Sequence, residues 1–376
     1  MQVCKICIYD ETIPGINFAS DGVCNYCQQH ERMQKEYPTG AEGRKRLNAI
    51  VDEIKKSATN KPYDVVIGVS GGCDSSYLLH LAKREFGLRP LAVHFDNTWN
   101  STIAVENIQT MLERLDIDLY THVVDNQEIC DLMKSFFKAS VPEIDTPTDL
   151  ALAATHYMAA EKYGIEYIWE GHSFRTEGIS PIGWFYMDAK YVQTIQQEYG
   201  TLPIVSLPMM WLQKWFKWML LYGIKKLRPL YFIDYEKTEV KEFLAKEYGW
   251  QWYGGHHMEN RSAYFVNNYY LPRKFGIDLR YCEFSALVRS GQMSRIEALE
   301  KIYKPKPFDE DILEEYKKRL KISDEEFEAI MNTQPKSFRD YETYKETFIK
   351  LRPLFYLLYK WNFVPKSFYD KFTKKN

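Results

Sequence analysis

The stretch YDVVIGVSGGCDSSY, Tyr63–Tyr77, decides the fold that this sequence predicts. Asp64–Val69 is a short apolar run rich in β-branched residues, which is typical of a buried strand. The run stops at Ser70–Ser76, and the apolar residues from Tyr77 onward predict a helix that packs back on the sheet. A strand, a glycine turn and a helix N-terminus form an anion site, because free backbone N–H groups and the helix dipole point outward.

The residues of this turn suit the phosphates of a nucleotide. Gly71 and Gly72 let the backbone approach a phosphate because they carry no Cβ. Asp74 would repel phosphates unless a cation lay between them, so we interpret it as a Mg²⁺ ligand. Further hydroxyl donors come from the serines of the turn, which are Ser70, Ser75 and Ser76. The alternative is a glycine-serine turn that binds no ligand.

The turn is neither a Walker loop, which needs G-x-x-x-x-G-K-[ST], nor a G-x-G-x-x-G motif. SGGCDSS resembles the SGGxDS loop of the PP-loop ATP pyrophosphatases. The resemblance implies a loop that holds the pyrophosphate of ATP while the α-phosphate is attacked, which yields an adenylated intermediate, AMP and pyrophosphate. It implies catalytic roles for Ser70 and Asp74, and nucleotide contacts from the residues Ser70, Gly71, Gly72, Asp74, Ser75, Ser76, Asp96, Gly171 and His172.

Strands and helices alternate after the loop. Residues 88–97, 118–124 and 165–169 are predicted strands, and Arg228–Leu230 closes another. Helices predicted between them imply right-handed crossovers, and therefore an α/β, Rossmann-like domain with a parallel sheet. Ligands then bind beyond the C-terminal strand ends.

Two segments follow such strand ends. Asp96 and Asn97 are placed near the nucleoside by the resemblance, with helix capping as the alternative. Glu170–Gly178 looks like the loop after the fourth strand of PP-loop enzymes, and Gly171 allows close approach there. In this loop, the candidates for γ-phosphate or substrate contacts, or simply for loop-stabilising hydrogen bonds, are His172, Arg175 and Glu177.

Two CxxC pairs predict a metal site near the N-terminus. The pairs are Cys4–Cys7 and Cys24–Cys27, and each places two thiolates in one turn. Four matched ligands leave no open position, so we predict a structural zinc knuckle; a redox dithiol or an iron–sulfur site is the alternative. An odd total of seven cysteines, and no secretory leader, favour a reducing cytoplasmic location.

The chain has 376 residues and is almost neutral, with 49 basic against 51 acidic side chains, which argues weakly against a large nucleic-acid footprint. Leu202–Leu227 is unusually aromatic, with Trp211, Trp215, Trp218 and Tyr222 on one predicted helical face. Lysines interrupt it, so it is too polar to span a bilayer. It is either core or a subunit contact, a docking face for a partner, or a peripheral membrane helix.

The second half concentrates histidines and arginines. His256 and His257 are adjacent, so their side chains diverge, and H-E-x-x-H is absent. We therefore predict a polar substrate pocket rather than a catalytic zinc, with a salt-bridged surface as the alternative. The predicted substrate residues are His256, His257, Glu259, Arg261 and Arg280. Lys274 is a predicted catalytic contact to the triphosphate, a role that lysines late in the chain play in PP-loop enzymes.

The knuckle, SGGCDSS, EGHSFRTEG, RPL, GGHHMENR, LPRKFGIDLR and RSGQMSR occur in this order and resemble the N-acetyl sugar amidotransferases of surface-polysaccharide (lipopolysaccharide O-antigen) synthesis. The resemblance covers residues 1 to about 305. It implies conversion of an acetamido group on a nucleotide-linked sugar to an acetamidino group, with ATP, Mg²⁺ and Zn²⁺. Ammonia would come from a partner glutaminase of the imidazole-glycerol-phosphate-synthase type.

The sequence divides into a zinc knuckle (1–40), a PP-loop domain with substrate-binding insertions (41–300) and a helical C-terminal region (301–376). Two other functions stay open at this point. One is a tRNA thiolase, in which Cys130 and Cys282 would be catalytic. The other is a non-enzymatic AMP-binding module.

Overall fold

A computed structural model describes residues 2–255, 258–306 and 308–374. Its centre is a five-stranded sheet in which every paired strand is parallel to its neighbour. In chain order the strands are β1 (Val65–Gly68), β2 (Pro90–Asp96), β3 (Leu119–Val123), β4 (Tyr167–Trp169) and β5 (Lys225–Leu227). The predicted parallel α/β sheet is therefore confirmed.

Helices surround this sheet and form the rest of the chain. They are α1 (Asn25–Glu36), α2 (Gly40–Ser57), α3 (Cys73–His80), α4 (Thr102–Leu115), α5 (Asn126–Ala139), α6 (Thr146–Tyr163), α7 (Ala189–Tyr199), α8 (Leu212–Phe216), α9 (Lys237–Tyr248), α10 (Arg261–Phe265), α11 (Arg280–Arg289), α12 (Arg295–Ile302), α13 (Glu310–Leu320), α14 (Asp324–Asn332), α15 (Lys345–Lys350), α16 (Arg352–Lys360) and α17 (Lys366–Phe372). Wider helical turns continue α3, α8 and α10 over Leu81–Glu85, Lys217–Leu221 and Val266–Phe275. The helical C-terminal region is confirmed, while the division of the chain into three domains stays a prediction.

The strand order β3-β2-β1-β4-β5 positions the ligand site. The chain leaves β1 toward β2 on one side and later returns to β4 on the other. The loops after β1 and β4 therefore both begin at the C-terminal edge of the sheet, at the point where the strand order reverses, which is where open α/β sheets bind ligands. Val65, Val66 and Ile67 are fully buried, because β1 is covered on both faces.

The aromatic segment Leu202–Leu227 is only partly helical. It is irregular up to Trp211, because Pro203 and Pro208 disfavour a helix there, and it ends in β5. Trp218 stacks on Tyr157 with ring centroids 5.0 Å apart, and its Nε1 donates to Glu161 at 2.7 Å. Trp215 and Trp218 are therefore core residues, as one of the three interpretations expected, whereas Trp211 is half-buried and Tyr222 is exposed. No helix in the described ranges combines the length and apolar character that crossing a bilayer requires.

Candidate active site

The predicted strand, glycine turn and helix are present as β1, Ser70–Gly72 and α3. Gly71 adopts a φ of +77°, and a Cβ there would lie 2.2 Å from the carbonyl oxygen of Ala104. Within the turn, the Gly72 amide donates to Ser70 Oγ at 3.3 Å and Ser75 Oγ donates to the Gly72 carbonyl at 3.1 Å. Position 71 therefore requires glycine for two reasons, a left-handed backbone and a close approach to α4.

Asp74 lies at the centre of a polar network at the start of α3. Its Oδ1 accepts a short hydrogen bond from Tyr235 Oη, and its Oδ2 lies 3.1 Å from Lys237 Nζ. The same ammonium lies 3.7 Å from Glu177 Oε1. Burial by itself would raise the pKa of Asp74, but the Lys237 charge and the hydrogen bonds outweigh burial and hold the pKa below its usual value. Asp74 is therefore an anion at neutral pH.

This network joins three elements that are far apart in sequence. Asp74 begins α3, Glu177 follows β4, and Lys237 begins α9 after β5. Asp74 and Glu177 were among the residues predicted for the site, whereas Tyr235 and Lys237 were not. A signal existed, because Lys237 opens the helix that follows a strand end, where side chains of a parallel sheet converge.

The loop after β4 lies against the glycine turn, as predicted. A Cβ on Gly171 would be 3.3 Å from Asp74 Cβ. His172 Nδ1 lies 3.0 Å from Tyr231 Oη, and its Nε2 lies 3.9 Å from Glu177 Oε2. Burial, followed by the charge of Arg228, lowers the pKa of His172 to about 3, so this imidazole is neutral at pH 7. Gly171 and His172 thus adjoin the loop, and their contacts to a nucleotide stay a prediction.

Arg175 is a structural residue rather than a phosphate ligand. Its guanidinium donates to the carbonyl oxygens of Tyr231 at 2.8 Å and Tyr37 at 2.7 Å, and only 8% of the residue is exposed. Of the alternatives open for Arg175, the loop-stabilising one therefore applies.

Asp96 closes its own turn after β2. Its Oδ1 accepts from the Thr98 amide at 2.7 Å and from Asn100 Nδ2 at 3.0 Å. Asn97 Oδ1 accepts from Asn260 Nδ2 at 2.9 Å, so the segment around Asn260 docks on this turn. Asp96 thus orders the strand end, and its predicted contact with the nucleoside stays a prediction.

Glu259 reaches the glycine turn from the second half of the chain. A Cβ at Gly72 would meet Tyr253 Oη at 3.3 Å and Glu259 Oε1 at 3.5 Å. The backbone carbonyl of Glu259 accepts from the Ser101 amide at 2.8 Å, which fixes the segment. Glu259 therefore lies next to the glycine turn, and its contact with a substrate stays a prediction. His256 and His257 lie outside the described residues.

Three predicted site residues have structural roles instead. Lys274 Nζ donates to the carbonyls of Ile330, Met331 and Thr333 at 2.6, 3.0 and 2.7 Å, so it caps the end of α14, and its contact with the triphosphate stays a prediction. Arg280 Nη2 pairs with Asp278 at 2.7 Å, and its two terminal nitrogens also donate to the carbonyls of Lys301, Ile302 and Lys304, at and just after the end of α12. Arg261 forms a close ion pair with Glu315. A linear sequence does not show most of these partners, because Glu315 and the carbonyl oxygens come from later segments of the chain. Asp278, two residues before Arg280, is the exception.

The four N-terminal cysteines form one buried cluster. Their Sγ atoms all lie within 4.8 Å of one another, and the pairs Cys4–Cys27 and Cys7–Cys24 are 3.7 and 3.8 Å apart. A tetrahedron with Zn–S bonds of about 2.3 Å has edges of about 3.8 Å, so the donor set fits zinc. The separations of the four sulfurs therefore agree with the predicted zinc knuckle.

Arg289 places a positive charge beside two of these sulfurs. Its Nε lies 3.3 Å from Cys27 Sγ, and its Nη2 lies 3.1 Å from Cys7 Sγ. Its Nη1 is buried without a hydrogen-bond partner, and the guanidinium lies over the ring of Tyr9, 4.6 Å from the centroid. A guanidinium in this setting needs anionic acceptors. Four neighbouring thiolates in turn need a bound cation, so the cluster and Arg289 together fit a metal–thiolate centre.

Two family descriptions match the chain. Residues 44–161 match NAD synthase, and residues 259–353 match "LPS biosynthesis protein WbpG-like, C-terminal domain". An uncharacterized protein of Methanocaldococcus jannaschii, MJ1599, is 28% identical over 170 residues, which cover 45% of this chain and 58% of that protein. The chain therefore spans less than two thirds of this curated relative.

Two solved structures match this chain with low sequence identity and low TM-scores. An NMN synthetase from Francisella tularensis is 17% identical with a TM-score of 0.29, over 54% of this chain and 86% of its own. An NH3-dependent NAD synthetase from Campylobacter jejuni is 15% identical with a TM-score of 0.32, over 79% and 99%.

Proposed function

From a chain that joins an NAD synthase-type PP-loop domain to a WbpG-like C-terminal domain, we propose an ATP-dependent amidotransferase of surface-polysaccharide synthesis. The proposed reaction converts the acetamido group of a nucleotide-linked sugar to an acetamidino group. ATP is consumed to AMP and pyrophosphate, and ammonia is the nitrogen donor.

The observation that carries this proposal is the network of Asp74, Glu177 and Lys237 beside the glycine turn. Two carboxylates lie within reach of one cation, and Asp74 is anionic. Carboxylate oxygens are the ligands that Mg²⁺ prefers, so Asp74 and Glu177 fit this ion. Mg²⁺ bound there would neutralise the charge of the phosphates.

Residues of the glycine turn and Lys237 then assist the transfer of the adenylyl group from ATP to the amide oxygen. An amide is a poor electrophile because its oxygen is a bad leaving group. The amide oxygen attacks the α-phosphorus and the bond from that phosphorus to pyrophosphate breaks. Gly71, Gly72 and the serines of the turn hold the departing pyrophosphate in line, while the Lys237 ammonium adds positive charge. Ammonia next adds to the activated carbon, AMP leaves with the former amide oxygen, and loss of a proton gives the amidine.

The sugar and the source of ammonia belong to the proposal as well. Glu259, which lies in the WbpG-like region, reaches the phosphate loop, and this supports a substrate held between the two domains. We assign the ammonia to a partner glutaminase, and the sugar to the acetamido sugars that are carried on nucleotides.

A sulfur-transferring enzyme is less well supported. Cys130 and Cys282 are both buried. Burial raises the pKa of Cys282 to about 11 and raises that of Cys130 as well, so neither is a thiolate at neutral pH. Such thiols are poor nucleophiles.

The test measures AMP formed from ATP with ammonium chloride and a panel of acetamido nucleotide sugars, and checks the product mass for exchange of oxygen for NH. One sugar should support turnover, and Asp74→Asn should abolish its pyrophosphate release while the circular dichroism spectrum is retained. Glu85→Gln, a matched change in a carboxylate that pairs with Arg44, serves as the control. Full activity of Asp74→Asn would refute the assignment.

A further inference from the structure

The turn Arg289–Gln292, at the C-terminal end of α11, contacts both the cysteine cluster and the elements that carry Asp74, Glu177 and Lys237. On the side of the cluster, Arg289 donates to sulfurs from both CxxC pairs, Cys7 and Cys27. The guanidinium therefore links the two halves of the knuckle. Because a zinc ion with four thiolates has a net charge of −2, a buried cation next to it offsets half of the surplus.

The other side of the same turn contacts the loop that carries Glu177. Ser290 Oγ lies 2.8 Å from the carbonyl oxygen of Arg175, two residues before Glu177. Gly178, which follows Glu177, packs so tightly on α11 that a Cβ would lie 2.7 Å from the carbonyl oxygen of Cys282. The position of Glu177 is thus fixed on both sides by α11 and the turn after it.

Gln292 holds the backbone of Tyr235, which is a hydrogen-bond partner of Asp74. Its Nε2 donates to the backbone carbonyl of Tyr235 at 2.9 Å. Tyr235 Oη donates to Asp74, and Lys237 lies two residues further along the chain. The turn therefore holds the backbone of both elements that complete the site around Asp74.

We propose that Arg289, Ser290 and Gln292 are positioning residues that couple metal occupancy of the cysteine cluster to the geometry of the Asp74–Glu177–Lys237 site. The proposal rests on the proposed function for the identity of that site. Metal in the cluster fixes Arg289, Arg289 fixes the turn, and the turn fixes the elements that carry Glu177 and Lys237. An effect of this kind between two sites is typically 5- to 150-fold in affinity, about 1–3 kcal/mol.

The experiment measures metal binding at the Asp74–Glu177–Lys237 site in the absence of catalytic turnover. Mn²⁺ binding is titrated by electron paramagnetic resonance in the presence of α,β-methylene ATP, which cannot be cleaved between its α- and β-phosphorus atoms. Zinc release is followed separately with a chromogenic chelator. Gln292→Ala should weaken Mn²⁺ binding by at least about five-fold with zinc release unchanged. Arg289→Gln should speed zinc release and also weaken Mn²⁺ binding, as should removal of zinc from the full chain.

Arg295→Gln is the matched control. Arg295 donates to the carbonyl oxygens of Cys4 and Cys7 at 2.9 and 3.1 Å, so it grips the same knuckle without contacting a sulfur. It should leave Mn²⁺ affinity unchanged. The proposal is overturned if Gln292→Ala binds Mn²⁺ like the wild type, or if zinc removal leaves Mn²⁺ affinity intact; Gln292→Ala decides the matter if Arg289→Gln does not fold. Failure to find a sugar substrate would count against the proposed function and leave these titrations valid.

Discussion

Lys237 Nζ lies 3.1 Å from Asp74 Oδ2, although the two residues are 163 positions apart in the sequence. The lysine begins a helix after the last strand, and the aspartate begins the helix after the first. Its ammonium also lies 3.7 Å from Glu177 Oε1, so one cation serves two carboxylates. This contact brings together residues that follow the first and the last strand of the sheet.

Replacing this lysine tests its electrostatic role. Lys237→Met should lower the rate of AMP formation by about 10²–10³-fold, because a preorganised charge at the phosphates is lost. Lys237→Arg retains the charge and should keep more activity than Lys237→Met. Steady-state rates at saturating ATP measure the effect. Equal rates for Lys237→Met and the wild type would remove Lys237 from the mechanism.

Gly71 and Gly164 offer a matched pair for the glycine turn. Both have a positive φ, +77° and +66°, but only Gly71 has a neighbour that a Cβ would strike, the Ala104 carbonyl at 2.2 Å. Gly164→Ala should cost only the strain of a left-handed residue, about 1–2 kcal/mol. Gly71→Ala should cost more in urea unfolding and should also weaken ATP binding in calorimetry. Similar losses for the two variants would show that α4 does not press on the turn.

The cysteine cluster predicts a measurable metal content. Elemental analysis should find one zinc per chain, and Cys4→Ser should lower both the zinc content and Tm. In a chain of this size a loss of 1 kcal/mol corresponds to a fall in Tm of roughly 1–2 °C. Cys130→Ser makes the same change outside the cluster and should retain zinc. A zinc-free wild type with an unchanged Tm would contradict the knuckle.

Lys274 should affect stability and not catalysis. Lys274→Met removes the donor to three carbonyl oxygens at the end of α14, and we expect a loss of about 1–3 kcal/mol in the free energy of unfolding. The KM for ATP should stay at the wild-type value. A raised KM for ATP with unchanged stability would restore the contact with the triphosphate that the sequence suggested.

His156 predicts a loss of stability in acid. It is buried on α6 against Gly68, and burial, followed by the charge of Lys226, lowers its pKa to about 3. In the unfolded chain His156 takes up a proton as the pH falls below about 6.5, whereas in the native chain it does so only near pH 3. The contribution of His156 to the free energy of unfolding is therefore complete above about pH 6.5 and is lost as the pH falls toward 3. Each pH unit in that window costs about 1.4 kcal/mol for one proton.

The check for His156 compares urea unfolding of the wild type and His156→Gln between pH 7.5 and pH 5. The variant lacks the titrating group, so its stability should decline less steeply by about 1.4 kcal/mol per pH unit. Parallel curves for the two proteins would mean that His156 takes up a proton in the native state.

The sequence alone determined the local features. A β-branched run, two glycines and a helix start fixed the phosphate loop between β1 and α3, since each depends only on neighbouring residues. Two CxxC pairs likewise predicted a four-sulfur cluster, because a turn of four residues brings each pair together. The parallel sheet followed from the alternation of short apolar runs with helices.

Only the tertiary structure decided which distant side chains meet. Lys274, Arg261 and Arg280 have the right charge for a phosphate site, yet backbone carbonyls later in the chain, Glu315 and the neighbouring Asp278 engage them. Lys237, Tyr235 and Arg289 had no distinguishing motif, and the structure brings them to Asp74 and to the cysteine sulfurs. The physical reason is that a charge acts over a few ångströms in space, and long-range packing sets that distance.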